Sequence, residues 1–126
     1  MRPRTLREVA QLAALEYSFD QCLANFLDDF YSRPTTEALV DMPPLLGPLK
    51  GETGRIQDAY LAATAEELCC KYRLLLPVWT SAAERRLSRP WFALPWASVR
   101  AVLLWESPPG FRSRNLFVSE NALSRV

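Results

Sequence analysis

The run Ala97-Ser98-Val99-Arg100-Ala101-Val102-Leu103-Leu104-Trp105 has the character of a helix and is apolar almost all the way round. A short chain has little interior in which such a helix can hide every side. Part of the run must form the centre of the core or a face that meets another chain. Immediately before it, Arg89-Pro90-Trp91-Phe92-Ala93-Leu94-Pro95-Trp96 sets three large aromatics around two prolines.

With 126 residues the chain has room for one core, and 1–126 reads as a single domain. A chain of that size buries roughly two-thirds of its unfolded surface and needs no staples. An apolar content of 49% with 23% charge is that of a globular domain, not a disordered one. The longest apolar stretch, Ala101 to Trp105, is far below the roughly 20 residues of a membrane helix. No long apolar region follows Met1-Arg2-Pro3-Arg4, so no secretory signal is expected. Cys69 and Cys70 are adjacent on a predicted helix, pointing about 100° apart, which suits neither a mutual bridge nor a shared metal. Together these features predict a reduced, cytoplasmic protein with no membrane association.

Net charge is +1 but unevenly spread. Residues 1–76 hold eight Lys/Arg against eleven Asp/Glu, and residues 77–126 hold seven against three. The basic part is also the tryptophan-rich part, with Trp79, Trp91, Trp96 and Trp105. Such asymmetry bears on association and steering, not on fold.

Thr5 is placed to cap a first helix running to about Glu16, with Leu6, Val9, Ala10, Ala13 and Tyr17 at helical spacing. Ser18-Phe19-Asp20-Gln21 is a capping-box pattern that opens a second helix. There Phe19, Cys22, Leu23, Phe26, Leu27 and Phe30 make one apolar stripe. Pro34 ends that helix, a short one to about Asp41 follows, and Met42 to Pro48 is expected to be extended or turn-like. The longest helix is expected from about Thr53 to Tyr72. Its two apolar faces, Leu61/Ala65/Leu68/Tyr72 and Ile56/Ala59/Tyr60/Ala63/Cys70, predict a central helix contacted from more than one direction. Ser81-Ala82-Ala83-Glu84 is a second capping-box pattern, opening a short helix to about Leu87. A helix from about Trp96 to Glu106 starts beside Pro95 and stops at Ser107-Pro108-Pro109-Gly110. Leu116 to Val118 reads as a short extended piece, followed by one closing turn from Ser119. The fold expected is mainly α: a compact single-domain bundle of five to six helices with a short extended C-terminal segment.

No residue set forms a recognisable catalytic site, and histidine, the commonest metal ligand and proton shuttle, is absent. Lys50-Gly51-Glu52-Thr53-Gly54-Arg55 invites a phosphate-loop reading but lacks the Gly-Lys-Ser/Thr ending and a preceding strand, so a turn and helix start are expected. Asp20, Asp28, Asp29, Glu66 and Glu67 fit a solvated face better than a metal site. Cys22 lies on the phenylalanine stripe and is expected to act as a small buried hydrophobe. No cofactor, no metal and no enzymatic activity are expected. The remaining signal is Arg85, Arg86, Arg89, Arg100, Arg112, Arg114 and Arg125 interleaved with Trp91, Phe92, Trp96, Phe111 and Phe117. Three readings fit it: core aromatics rimmed by arginines, a protein interface, or a platform for single-stranded nucleic acid.

The pattern Arg89-Pro90-Trp91-Phe92, Ala101-Val102-Leu103-Leu104-Trp105-Glu106-Ser107-Pro108 and Phe111 to Val118 resembles a group of small, poorly characterised bacterial proteins. The likeness extends upstream through Phe26-Leu27-Asp28-Asp29-Phe30, Pro43-Pro44-Leu45-Leu46 and Asp58 to Ala63. Relatives of this kind are encoded beside nucleotidyltransferase-like proteins of the abortive-infection, toxin–antitoxin type, and some carry a helix-turn-helix domain ahead of this region. The resemblance implies an antitoxin-like or accessory partner, with no catalytic residues to carry over. No separate DNA-binding domain is expected ahead of the shared region here, so direct operator binding is not expected. The leading expectation is a non-enzymatic module that binds a protein, with Trp91, Phe92, Trp96, Arg112 and Arg114 as anchors and a homodimer as the default assembly. The alternative is a nucleic-acid-binding regulator that uses the basic, aromatic C-terminal half.

Overall fold

The computed structural model describes residues 2–125 and is mainly α-helical. Seven α-helices occur among the described residues: α1 (Leu6–Ala14), α2 (Phe19–Ser32), α3 (Glu37–Val40), α4 (Gly47–Lys50), α5 (Glu52–Tyr72), α6 (Ala97–Glu106) and α7 (Pro109–Arg112). Two 3-10 turns, Val78–Ser81 and Ala83–Arg85, follow α5, and a two-residue parallel ladder joins β1 (Trp91–Phe92) to β2 (Leu116–Phe117). The five or six helices expected become seven because Pro48 and Pro109 each start a one-turn helix within a segment that reads as a break. Proline is at ease in a first turn, where no N–H is needed.

Helices α1 and α2 begin where their caps predict. Thr5 Oγ1 accepts from Glu8 N at 3.0 Å, and Ser18 Oγ accepts from Gln21 N at 3.2 Å. The whole Phe19-to-Phe30 stripe of α2 is buried, including Cys22. Helix α1 stops at Ala14, earlier than Glu16. The chain reverses at Glu16, which takes a left-handed φ of 74°, and Tyr17 is thereby turned outward instead of joining the stripe.

Helix α5 is the centre, as its two apolar faces require. Leu61, Ala62, Ala65, Leu68 and Cys69 join a large cluster with α1, α2, Leu39 and Trp79. Ala59 and Ala63 join a second with Leu87, Phe111, Leu116 and Val118. Tyr60 packs against both clusters, edge-on to Phe19 and to Phe111. Cys70 does not belong to the second face: it is exposed beside Lys71 in the last turn. Two glycines let other backbones come close to this helix. A Cβ on Gly54 would lie 2.2 Å from the Leu46 carbonyl oxygen, and one on Gly110 would lie 2.8 Å from Glu67 Oε2.

The segment after α5 forms 3-10 turns where the capping-box pattern predicts an α-helix, because its last residue has to reach inward. Arg85 is buried against α5, with Nη1 3.7 Å from Asp58 Oδ1 and Nη2 donating to the Pro43 carbonyl. Asp58, equally buried, also accepts from Leu46 N at 2.7 Å and Gly47 N at 2.9 Å, which fixes the start of α4. The Arg85 guanidinium lies 4.9 Å from the Trp79 ring, and Trp79 Nε1 donates to Leu39 O at 3.1 Å. Burial pushes the Arg85 pKa down, and Asp58 and Glu84 counter it.

Removing one partner of a buried pair strands the other charge and costs about 3–5 kcal/mol, a large share of the roughly 5–15 kcal/mol of a typical domain. Urea titration of Arg85→Ala is therefore expected to show a loss of that order. Replacing both partners with apolar residues (Arg85→Met with Asp58→Leu) should lose less than the two single variants summed. An additive result would show that the pair is not coupled.

Candidate protein-docking surface

The C-terminal third is assembled around β1 and β2. Trp91 N donates to Asn115 O at 2.9 Å and Ala93 N to Phe117 O at 3.0 Å, which pairs Trp91 with Leu116 and Phe92 with Phe117. Asn115 makes the turn into β2 with φ at 64°, and its side-chain amide donates to Leu87 O at 2.7 Å. The Phe92 and Phe117 rings stack at 5.1 Å, and the Arg100 guanidinium lies 5.2 Å from the Phe92 centroid. The extended state of Trp91–Phe92 has no signature in its own sequence, whereas the pattern of its ladder partner, Leu116–Phe117, predicts an extended piece.

Helix α6 is fastened to this unit mainly at its C-terminal end. Ser107 is fully buried: its Oγ donates to Leu116 O at 2.8 Å and accepts from Val118 N at 3.4 Å. Arg112 Nη2 donates to Ser107 O at 2.7 Å, a cation placed where the helix dipole favours it. At the other end Trp96 is the N-cap, with no side-chain cap bond. Of the ten residues of α6, Leu103 alone is buried, with Val99 and Glu106 half-buried on the same side.

The outer side of α6 is the unusual part. At about 100° per residue, Ala101 and Trp105 lie opposite Leu103, with Ala97 and Ser98 beside them and Leu104 and Val102 on the two flanks. Trp105 is 86% exposed and Leu104 49%, with Val102 at the flank at 48%. Trp96 and Leu94, just before the helix, are 61% and 40% exposed. Together these side chains present on the order of 500 Å² of apolar surface, in the upper part of what a monomer normally leaves uncovered.

Next to α6, an apolar groove of about 780 Å³ runs between α2, α5 and β1. Its walls include Phe19, Leu23, Ile56, Tyr60, Trp91, Leu94 and Leu103, with Asp20, Gln57 and Arg125 among its polar residues. Gln57 Oε1 is buried there without a hydrogen-bond donor among the described residues. The Tyr60 hydroxyl is pushed up to about 12 by burial, with Asp20 adding to the shift.

The five expected anchors separate in this structure. Trp96 stands in solvent, and Trp91 and Phe92 are half-buried in the ladder, Trp91 on the groove wall. Arg112 is exposed while capping α6. Arg114 is not at the surface: it is buried, with Nη1 bonded to Glu66 Oε1 at 2.8 Å and Gly110 O at 2.7 Å, and Nη2 to Thr80 O at 2.9 Å. Its planar fork fastens α5, α7 and the first 3-10 turn, which commits it to the framework. Trp105, the most exposed tryptophan, is absent from the expected anchors, although its place on an all-round apolar helix is visible in the sequence.

The other chemical readings resolve into packing. Gly51 is the N-cap of α5 at φ 63°, and Gly54 faces the Leu46 carbonyl, so the glycines serve a turn and a close contact. Asp28 pairs with Arg125 at 2.9 Å, Glu66 with Arg114, and Glu67 accepts from Gly110 N at 2.8 Å. Among the described residues no group of three His, Cys, Asp or Glu is arranged to hold a metal ion. Burial pushes the Cys22 and Cys69 thiols up, which weakens them as nucleophiles. No helix of the described residues is long and apolar enough to cross a membrane.

Comparison with protein-family models, curated proteins and solved structures finds no match to this chain.

Two outcomes separate framework from surface. Arg114→Ala should lower unfolding free energy by about 2–4 kcal/mol, since Glu66 and two carbonyls lose their donor. Trp105→Ser should stay within about 0.5 kcal/mol of wild type in the same urea titration, as an exposed site away from special contacts. Tyr60 supplies a pH signature. Its folded pKa of about 12 lies above the ordinary 10.0, so its contribution is full below pH 10 and is lost as pH rises through 12. Tyr60→Phe should flatten that alkaline fall in stability.

Proposed function

We propose that this chain is a non-enzymatic, cytoplasmic protein-binding module whose docking surface is built from α6 and the β1 segment. The observation that carries this reading is the outer face of α6, apolar apart from Ser98 and crowned by a tryptophan 86% exposed. Ten residues make a marginal helix in water, and α6 buries only one of its own side chains fully. A helix so lightly held gains most from a second surface. Tryptophan at the centre of an apolar patch with arginine at its edge is also the composition of interface hot spots.

The sequence resemblance suggests which partner to try: a nucleotidyltransferase-like protein encoded beside the chain, which it would neutralise or assist. Trp91, Phe92, Trp96, Trp105 and Arg112 are the contacts expected. The nucleic-acid alternative loses support from the fate of the arginines. Arg85 and Arg114 are buried in the framework, Arg100 lies against Phe92, Arg112 caps α6, and Arg125 pairs with Asp28. Arg86 and Arg89 stay exposed along a second groove with Arg55, but Glu52 and Glu84 line it too, so it is no continuous track of cations for a phosphate backbone.

Co-expression with the neighbouring gene product tests the reading. A complex should be recovered from wild type, and Trp105→Asp or Trp96→Asp should weaken its formation at least tenfold with no change in thermal midpoint. Binding to a single-stranded oligonucleotide that falls steeply with salt, with no protein complex, would favour the regulator instead.

A further inference from the structure

Neither charged side chain of α6 stands on its outer face. Arg100 lies to one side against Phe92, and Glu106 turns toward the body, where its Oε1 accepts from Glu120 N at 3.4 Å. A nucleic acid or a partner selected by charge would therefore find nothing to read there. The face is instead graded in size. The small side chains Ala97, Ser98 and Ala101 occupy its N-terminal half, and Val102, Leu104 and Trp105 occupy its C-terminal half. Two such faces laid antiparallel place the bulky end of each over the small end of the other, a fit that needs no second sequence. The alanines let the axes approach to the roughly 8–10 Å of ordinary helix pairs.

We propose that the outer face of α6 pairs antiparallel with the same face of a second copy of this chain about a two-fold axis. This rests on reading α6 as a protein-contact surface and names its first occupant. The available area sets the strength. Trp105, Leu104, Val102 and the two alanines offer roughly 400 Å² per copy, about half the ~800 Å² per partner of a standard stable interface. The pair is therefore weak and concentration-dependent. A tighter partner docking on the same face would displace it.

Sedimentation equilibrium of the whole chain tests this. The average mass should rise from one chain toward two as concentration increases from about 5 to about 500 µM, and Trp105→Asp should hold it at one with unchanged circular dichroism. In a Cys70→Ser background, Ala101→Cys lies near the two-fold axis and should cross-link copies under mild oxidation. Leu49→Cys, exposed elsewhere, should not. A wild type that stays one chain at the highest concentration, or a dimer that Trp105→Asp leaves intact, would overturn the proposal. If the wild type stays single while Trp105→Asp abolishes capture of the encoded neighbour, self-pairing falls and the docking reading stands. If copies pair but the neighbour is not bound, self-pairing stands and that partner falls.

Discussion

The buried contact between Arg85 and Asp58 is the constraint around which the molecule is arranged. One carboxylate on the central helix holds the N–H groups that begin α4, and it faces a guanidinium delivered by the segment after α5. That guanidinium in turn reaches the Pro43 carbonyl and lies against Trp79, which bonds to Leu39. The proline-rich stretch from Met42 to Pro48 buries Pro43 and Leu46 but has no long helix of its own. Charge and hydrogen bonds add to that packing in setting its position. Such a cluster is weak evidence for net stability, because desolvation offsets most of the attraction, but it specifies one arrangement of three chain segments.

A second polar clamp, Arg114 with Glu66, Gly110 and Thr80, does for the C-terminal unit what Arg85 does for the middle of the chain. Both arginines leave the basic half of the sequence and enter the framework. The charge asymmetry is thus largely structural: acidic side chains of α5 meet basic ones that arrive later in the chain. At the surface of the C-terminal third, Arg86, Arg89, Arg100, Arg112 and Arg125 remain exposed beside the apolar side chains of α6.

Helix α6 shows the opposite economy. It is anchored by one leucine and a buried serine, and its composition would suit a core position that the fold does not provide. The interior on either side of α5 is already filled, by α1 and α2 on one side and by Phe111, Leu116 and Val118 on the other. An apolar helix left outside a filled core either associates or is a liability.

The sequence by itself determined the class of fold, the caps and buried stripe of α2, and the central role of α5. Each of these rests on local hydrogen bonds or on 3.6-residue periodicity, which neighbouring residues fully encode. It also disclosed that the run ending at Trp105 is too apolar to be hidden by so short a chain. Tertiary structure decided which arginines are buried, since Arg112 and Arg114 differ by two positions and share a composition, yet only one meets Glu66. It likewise decided that Trp91–Phe92 is a strand, because a two-residue ladder is created by its partner and not by its own pattern. The exposure of Trp105 was settled the same way: periodicity shows that a helix has apolar faces, but only the packing of the other elements decides which face is left without cover.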